Sequence, residues 1–268
     1  MRILSLHYPL PNAQIDNKDI FNAPSLFEYD AIIFHPLGFE QSIFNWLNGE
    51  EEFYTASGEK VVQEPSGNNA RNIDEILEQR RNEIDTFLKR DGILIAYTVP
   101  EMTITAEPEK PVVVQGNIFS RIRLKLFPQP SKKDELDVPD NQFSTSRYFL
   151  FSEHKDIDFS NLIIAGSGFQ NMSENDFNFL DSQIFQNLLR NHANKIFYQG
   201  YFDQKMIDHA SNISTLLTTA KSKIPIAILI KSSVNKIAML PNFAQGNTDE
   251  AMAEARSLVD DIQSIMNK

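Results

Sequence analysis

The sequence predicts an α/β protein with a mostly parallel central sheet between helix layers. Three observations carry that prediction. Short apolar runs at Ile3–Tyr8, Tyr29–Phe34 and Gly92–Tyr97 end in polar or aromatic residues, and prolines follow at Pro9, Pro36 and Pro100. The stretch from Asn72 to Arg90 has the period of a helix and leads through Gly92 into the third of these runs. A last amphipathic stretch, with Met252, Ala255, Leu258, Val259, Ile262 and Ile265 on one face, closes the chain. Helix–glycine–strand passages of this kind are the repeating half of an α/β unit.

The first run, Ile3 to Tyr8, reads as a strand stopped by Pro9 and Pro11. Tyr29-Asp30-Ala31-Ile32-Ile33-Phe34 is apolar on both faces, as a strand buried between two helix layers must be. In the helix from Asn72, Ile73, Ile76, Leu77, Ile84, Phe87 and Leu88 share a face. Its acids Asp74, Glu75 and Glu78 come early and Lys89 and Arg90 late, matching the macrodipole. Residues 101–150 differ: five prolines punctuate short β-like runs, and 131–141 is polar. The segment reads as a β-rich insertion within one domain spanning 1–268, since it is short for a core of its own. Asn161–Ala165 reads as a strand, and Ser173 as the cap of a helix with Phe177, Leu180, Ile184 and Leu188 on its inner face. After a strand at 195–198, Asp203 caps a further expected helix with Ile207, Ala210, Ile213 and Leu217 buried. Pro225–Ile230 and Lys236–Leu240 form an expected hairpin before the closing helix.

Composition bounds the function. The chain has 268 residues, 41% hydrophobic and 23% charged, enough apolar content for a continuous core. It has no cysteine, which excludes disulfides, thiolate metal sites and a thiol nucleophile. Its formal net charge of −11 disfavours generic nucleic-acid binding. The first residues lack the long apolar run of a secretory signal, and no stretch approaches a membrane span, so the expected location is the cytoplasm.

The candidate sites lie mainly at strand ends. In open α/β sheets ligands bind outside the carboxyl ends of parallel strands. If the three early strands are neighbours, His7, Tyr8, His35 and Tyr97 meet at one edge, where two histidines could move protons or bind an anion or metal. The competing reading, which the sequence favours, has these side chains packed under loops. Gly166-Ser167-Gly168 follows a strand, but its glycines stand adjacent to the serine, unlike the G-x-S-x-G of a nucleophile elbow. A tight loop is the better reading; with Tyr8 it completes the set of candidate ligand-binding residues. His154, Asp156 and Asp158 alternate along one strand face without a second cluster to complete a metal shell. His192 and His209 receive no role. No phosphate loop, dinucleotide fingerprint or zinc-protease motif is present, so no cofactor and no metal is expected.

A resemblance sharpens the expectation. Leu26 to Phe34, in which a Tyr29-Asp30 pair enters a buried strand, resembles a step of class I glutamine amidotransferase-like proteins. Phe87 to Ile95 resembles their helix that ends at glycine and feeds the next strand. Pro225 to Leu240 and the closing helix are similar to the end of trehalose-utilisation-like members of that fold. The resemblance implies a flavodoxin-like fold. Catalytic members use a cysteine at a sharp strand-to-helix turn, and this chain has none, so glutamine hydrolysis by that route is excluded. The expected function is therefore a non-catalytic binding or scaffold module of a larger bacterial assembly, partnered by another protein. The alternative is a hydrolase or small-molecule sensor using His7, His35 and Tyr97 at the strand ends.

Overall fold

A computed structural model describes residues 1–48, 53–54, 60–62, 68–98, 102–106, 142–145, 162–164, 176–180, 184–198, 200–231 and 236–267. The chain forms two compact units. The first comprises Met1–Ser42, Ile73–Glu101 and Ser146–Lys268, and the second Ile43–Asn72 and Met102–Thr145.

The first unit is built on an eight-stranded sheet. Its strands are β1 (Ile3–Leu6), β2 (Ile15–Lys18), β3 (Ala31–Phe34), β6 (Ile93–Tyr97), β10 (Phe177–Phe179), β13 (Ile213–Thr219), β14 (Pro225–Lys231) and β15 (Lys236–Leu240). They lie in the order β10-β13-β14-β15-β6-β3-β1-β2. Every pairing from β15 to β2 is parallel. The pairings β10–β13, β13–β14 and β14–β15 are antiparallel. The sheet is thus mixed, with four parallel and three antiparallel pairings where a mostly parallel one was expected, and the expected hairpin β14–β15 adjoins the change from antiparallel to parallel. Two smaller ladders join β11 (Ile196–Phe197) to β16 (Asn242–Phe243), and β9 (Leu162–Ile164) to β12 (Gly200–Phe202).

In the second unit β4 (Phe53–Tyr54), β5 (Lys60–Val62), β7 (Met102–Ala106) and β8 (Gln142–Thr145) form a four-stranded sheet. Of the β-rich segment read from the sequence at 101–150, Met102–Ala106 and Gln142–Thr145 supply two of these strands, and 43–72 supplies the other two.

Five helices are described: α1 (Pro36–Asn48), α2 (Asn68–Leu88), α3 (Gln186–Asn191), α4 (Gln204–His209) and α5 (Thr248–Met266). Side-chain alternation assigns the two sheet faces. Ile3, Ile33, Ile95, Ala238 and Leu240 pack in one core with Leu188 and Leu189 of α3 and with Ala255, Leu258, Val259 and Ile262 of α5. On the other face Phe34 meets Phe39 of α1 at 5.8 Å between ring centroids. Strands covered on both sides need no polar face, which is why β3 and β6 read as continuous apolar runs and β1 is broken only by the buried Ser5. At the end of α2 a Cβ on Gly92 would stand 2.5 Å from the Phe87 ring, so the close helix–strand turn requires glycine there.

Three expectations are corrected. Pro36 does not merely stop β3; it opens α1, where its fixed φ and missing N–H suit a first helical position. Phe177 lies in β10 and not in a helix, and α3 begins at Gln186, after Phe185 in the left-handed region (φ 54°). Ile213 and Leu217 belong to β13, because α4 stops at His209 after fewer than two turns. Asp203 caps α4 as expected, accepting from Lys205 N at 2.9 Å.

The loop before β3 is fastened to α2 by a buried ion pair. Arg80, 6% exposed, donates to the carbonyls of Ile20, Ala23 and Pro24 and to Glu83 Oε2 at 2.7 Å. Glu83 also accepts from Leu26 N and Gln79 Nε2. Burial alone pushes the Glu83 carboxyl up, but these donors outweigh it and hold the group below the usual carboxylate range. Removing one partner leaves a buried charge uncompensated. Arg80→Met is expected to cost about 3–5 kcal/mol in urea unfolding, with Arg80→Met/Glu83→Leu recovering part of that loss. A loss below about 1 kcal/mol would show the pair to be surface-like.

Candidate functional site

The carboxyl ends of β1, β3, β6 and β15 form one rim, because these strands are parallel neighbours. Register builds the site there. Ser5 stands opposite Ile33 and Ile33 opposite Ile95, all on the α5 side, so His35 and Tyr97 continue that face at the strand ends. Tyr8 joins them. Its ring stacks on His35 with centroids 4.5 Å apart and planes at 17°. Tyr97 lies 5.2 Å from each, tilted. Tyr97 is fully buried, His35 is 8% exposed and Tyr8 is half-buried. Three of the four strand-end residues named from the sequence therefore converge.

His7 does not, and the reason is local. By alternation it would share the face of Ser5, but its φ of 63° reverses the chain, sending His7 to the α1 side and Tyr8 to the α5 side. His7 packs 5.5 Å from Phe39 and 6.5 Å from Phe34. A Cβ on Gly38 would sit 2.0 Å from the His7 carbonyl, so glycine is what lets α1 approach this turn.

Beneath the aromatic rings lies Glu254 of α5, 1% exposed. Its Oε1 accepts from Tyr97 Oη at 2.6 Å, and its Oε2 from Tyr8 Oη at 3.1 Å and Gln245 Nε2 at 2.7 Å. Burial pushes the Glu254 carboxyl up against the pull of these three donors. Burial first, and the Glu254 charge second, raise both phenols far above their ordinary value, so they stay protonated and donate. Neither Glu254 nor Gln245 stands out in the sequence as a site residue. The available signal was a carboxylate on the apolar stripe of α5, between Ala251 and Leu258.

His7 has its own fixed geometry. The Ile20 N–H donates to Nε2 at 3.2 Å, which leaves the proton on Nδ1, 2.9 Å from Ser42 Oγ. Ser42 therefore accepts from the histidine, which cannot act as its base. Asp19 Oδ2 stands 3.7 Å from the same Nδ1, so this is not the triad arrangement, in which serine and carboxylate face opposite ring nitrogens.

The other named residues stay apart from the rim cluster or lie beyond description. Gly166, Ser167, Gly168, His154, Asp156 and Asp158 lie outside the described residues. His192 is buried against Phe243 and stands 3.3 Å from Ser257 Oγ, and burial lowers its pKa. His209 ends α4. Among the described residues no group of three or more His, Asp or Glu is placed to hold a metal. A shallow groove lined by Phe27, Glu75, Glu78, Asn82 and Thr86 runs along α2. No helix among the described residues is long and apolar enough to cross a membrane.

Burial lowers the His7 pKa to about 4, against the opposing pull of Asp19. The unfolded chain takes up this proton near 6.5 and the native state near 4, so stability from neutral His7 is complete above pH 6.5 and is lost as pH falls to about 4. The full loss is on the order of 3 kcal/mol. Asn tolerates the left-handed backbone at position 7 and does not titrate. The stability advantage of the wild type over His7→Asn, measured by urea unfolding, is expected to shrink by roughly 2–3 kcal/mol from pH 7.5 to pH 4.5. Parallel pH profiles for the two proteins would contradict this.

No family model matches the chain, and no curated protein matches it. A solved structure of a cytoplasmic protein from Salmonella typhimurium LT2 is similar over 99% of both chains, at 10% sequence identity and a TM-score of 0.38. At that score the likeness assigns neither fold nor function.

Proposed function

We propose that this chain is a non-catalytic small-molecule-binding module whose site is the rim at the carboxyl ends of β1, β3 and β6. The observation that carries the reading is the stacking of Tyr8 on His35. The chain leaves β1 toward β2 on one side, while β3, β6 and β15 follow on the other. The two residues thus flank the point where strand order reverses, and ligands of open α/β sheets bind in the crevice there. Numbered among themselves, the parallel strands run 2-1-3-4-5, which supports the flavodoxin-like reading. The absence of cysteine, and a histidine that donates to Ser42 instead of deprotonating it, support binding without nucleophilic catalysis.

Docking to another protein is the second reading. The exposed apolar side chains Leu180 and Phe197 favour it, in neighbourhoods joined by the Phe177–Tyr198 ring contact.

Native mass spectrometry of the protein purified from its host tests the first reading. A bound small molecule is expected, with occupancy reduced about tenfold or more in Tyr8→Ala and in His35→Ala, while circular dichroism stays native. A molecule retained equally by both variants would reject the rim. A stoichiometric protein partner lost on Phe197→Asp, with no small molecule, would favour docking.

A further inference from the structure

Asn242 opens β16 just past the carboxyl end of β15 and is 7% exposed. Its Nδ2 donates to the carbonyl of Thr98 at 3.3 Å. A carbonyl only accepts, so this bond fixes the amide: nitrogen toward Thr98 and Oδ1 away from it. Among the described residues Asn242 Oδ1 is the buried side-chain oxygen to which no protein group donates. Buried acceptors are nearly always satisfied, and an orphan of this kind calls for a physical reason.

Its position supplies one. Thr98 follows Tyr97 directly and is held to the next strand by its N–H and Oγ1, both donated to the Leu240 carbonyl at 2.8 and 3.1 Å. Phe243, next to Asn242, meets the Tyr97 ring edge-on at 6.2 Å. Asn242 therefore stands on the same rim as Tyr8, His35 and Tyr97, one strand beyond Tyr97. Along that rim the aromatic rings supply apolar contact, the phenols are committed to Glu254, and Asn242 Oδ1 is a free acceptor in a desolvated place.

We infer that Asn242 Oδ1 receives a hydrogen bond from the ligand of the strand-end rim, so that this ligand carries an N–H or O–H donor. The inference rests on the binding function proposed above. A site built around a buried acceptor rejects analogues lacking the donor more strongly than it rejects changes in apolar bulk, because the acceptor is then left unpaired.

A pair of probes separates the inference from the reading beneath it. Benzamide has a ring and an N–H donor; N,N-dimethylbenzamide has the ring and no donor. Each is titrated into the full-length, isotope-labelled protein, followed by the backbone amides of Tyr8 and His35 and by the Asn242 side-chain NH2 resonances. Benzamide is expected to shift all of these, and the dimethyl analogue to bind about tenfold or more weakly. In Asn242→Leu the two probes should bind alike. Equal affinities in the wild type, with rim resonances shifting, would overturn the role of Asn242 and leave the rim as a site. Preference for benzamide that survives in Asn242→Leu would overturn it also. If neither probe moves the rim resonances, both readings fail. Should Asn242→Leu not fold, Asn242→Asp keeps an acceptor, and the preference for benzamide must persist there; its loss overturns the inference.

Discussion

Glu254 joins the closing helix to the sheet. Its carboxyl group accepts from Tyr97, 157 residues away, and from Tyr8, 246 residues away. A buried carboxylate is costly to desolvate, and hydrogen bonds to a charged group each return about 1.5–3 kcal/mol. Three donors are therefore what make its position tenable, and the phenols in turn need that acceptor. The same helix face carries two more buried polar side chains. Ser257 meets His192, and Asp261 accepts from the backbone N–H groups of Asn187 and Leu188. Asp261 thereby caps α3, whose own cap position is occupied by left-handed Phe185 with no capping side chain. These polar positions fix the register of α5 on a core that apolar packing alone specifies less sharply.

Two ionisation tendencies oppose one another in this architecture. Burial raises Glu254 and Asp261, so each favours the native state at low pH and loses that contribution as pH rises through its range. Burial lowers His7, which works in the other direction. The left-handed turn at His7 is what separates the two systems. It directs the histidine into the α1 layer and leaves Tyr8 to stack at the rim, where a regular strand would have presented the histidine.

Much of this was legible in the residues. The buried runs at Ile3, Ala31 and Ile93 announced themselves because both faces of a covered parallel strand are apolar, and α2 and α5 because their periodicity is long. The meeting of Tyr8, His35 and Tyr97 followed only on the condition that their strands were neighbours, and the residues alone favoured packing under loops. Three features resisted. A single positive φ at His7 has no sequence signature when the residue is not glycine. Phe177, Leu180, Ile184 and Leu188 match a helical stripe, yet the first lies in a strand, because pairing with β13 overrides a short periodic pattern. Glu254 was hidden because a carboxylate on an apolar stripe has meaning only when its distant donors are known.

The strand-end rim, and not the groove along α2, is the proposed place of ligand binding. Crystals soaked with a panel of small ring-bearing fragments test it most directly. Fragments are expected to gather against Tyr8 and His35 in contact with the rim. Fragments gathered beside Phe27, Glu75 and Glu78, with none at Tyr8 and His35, would contradict it.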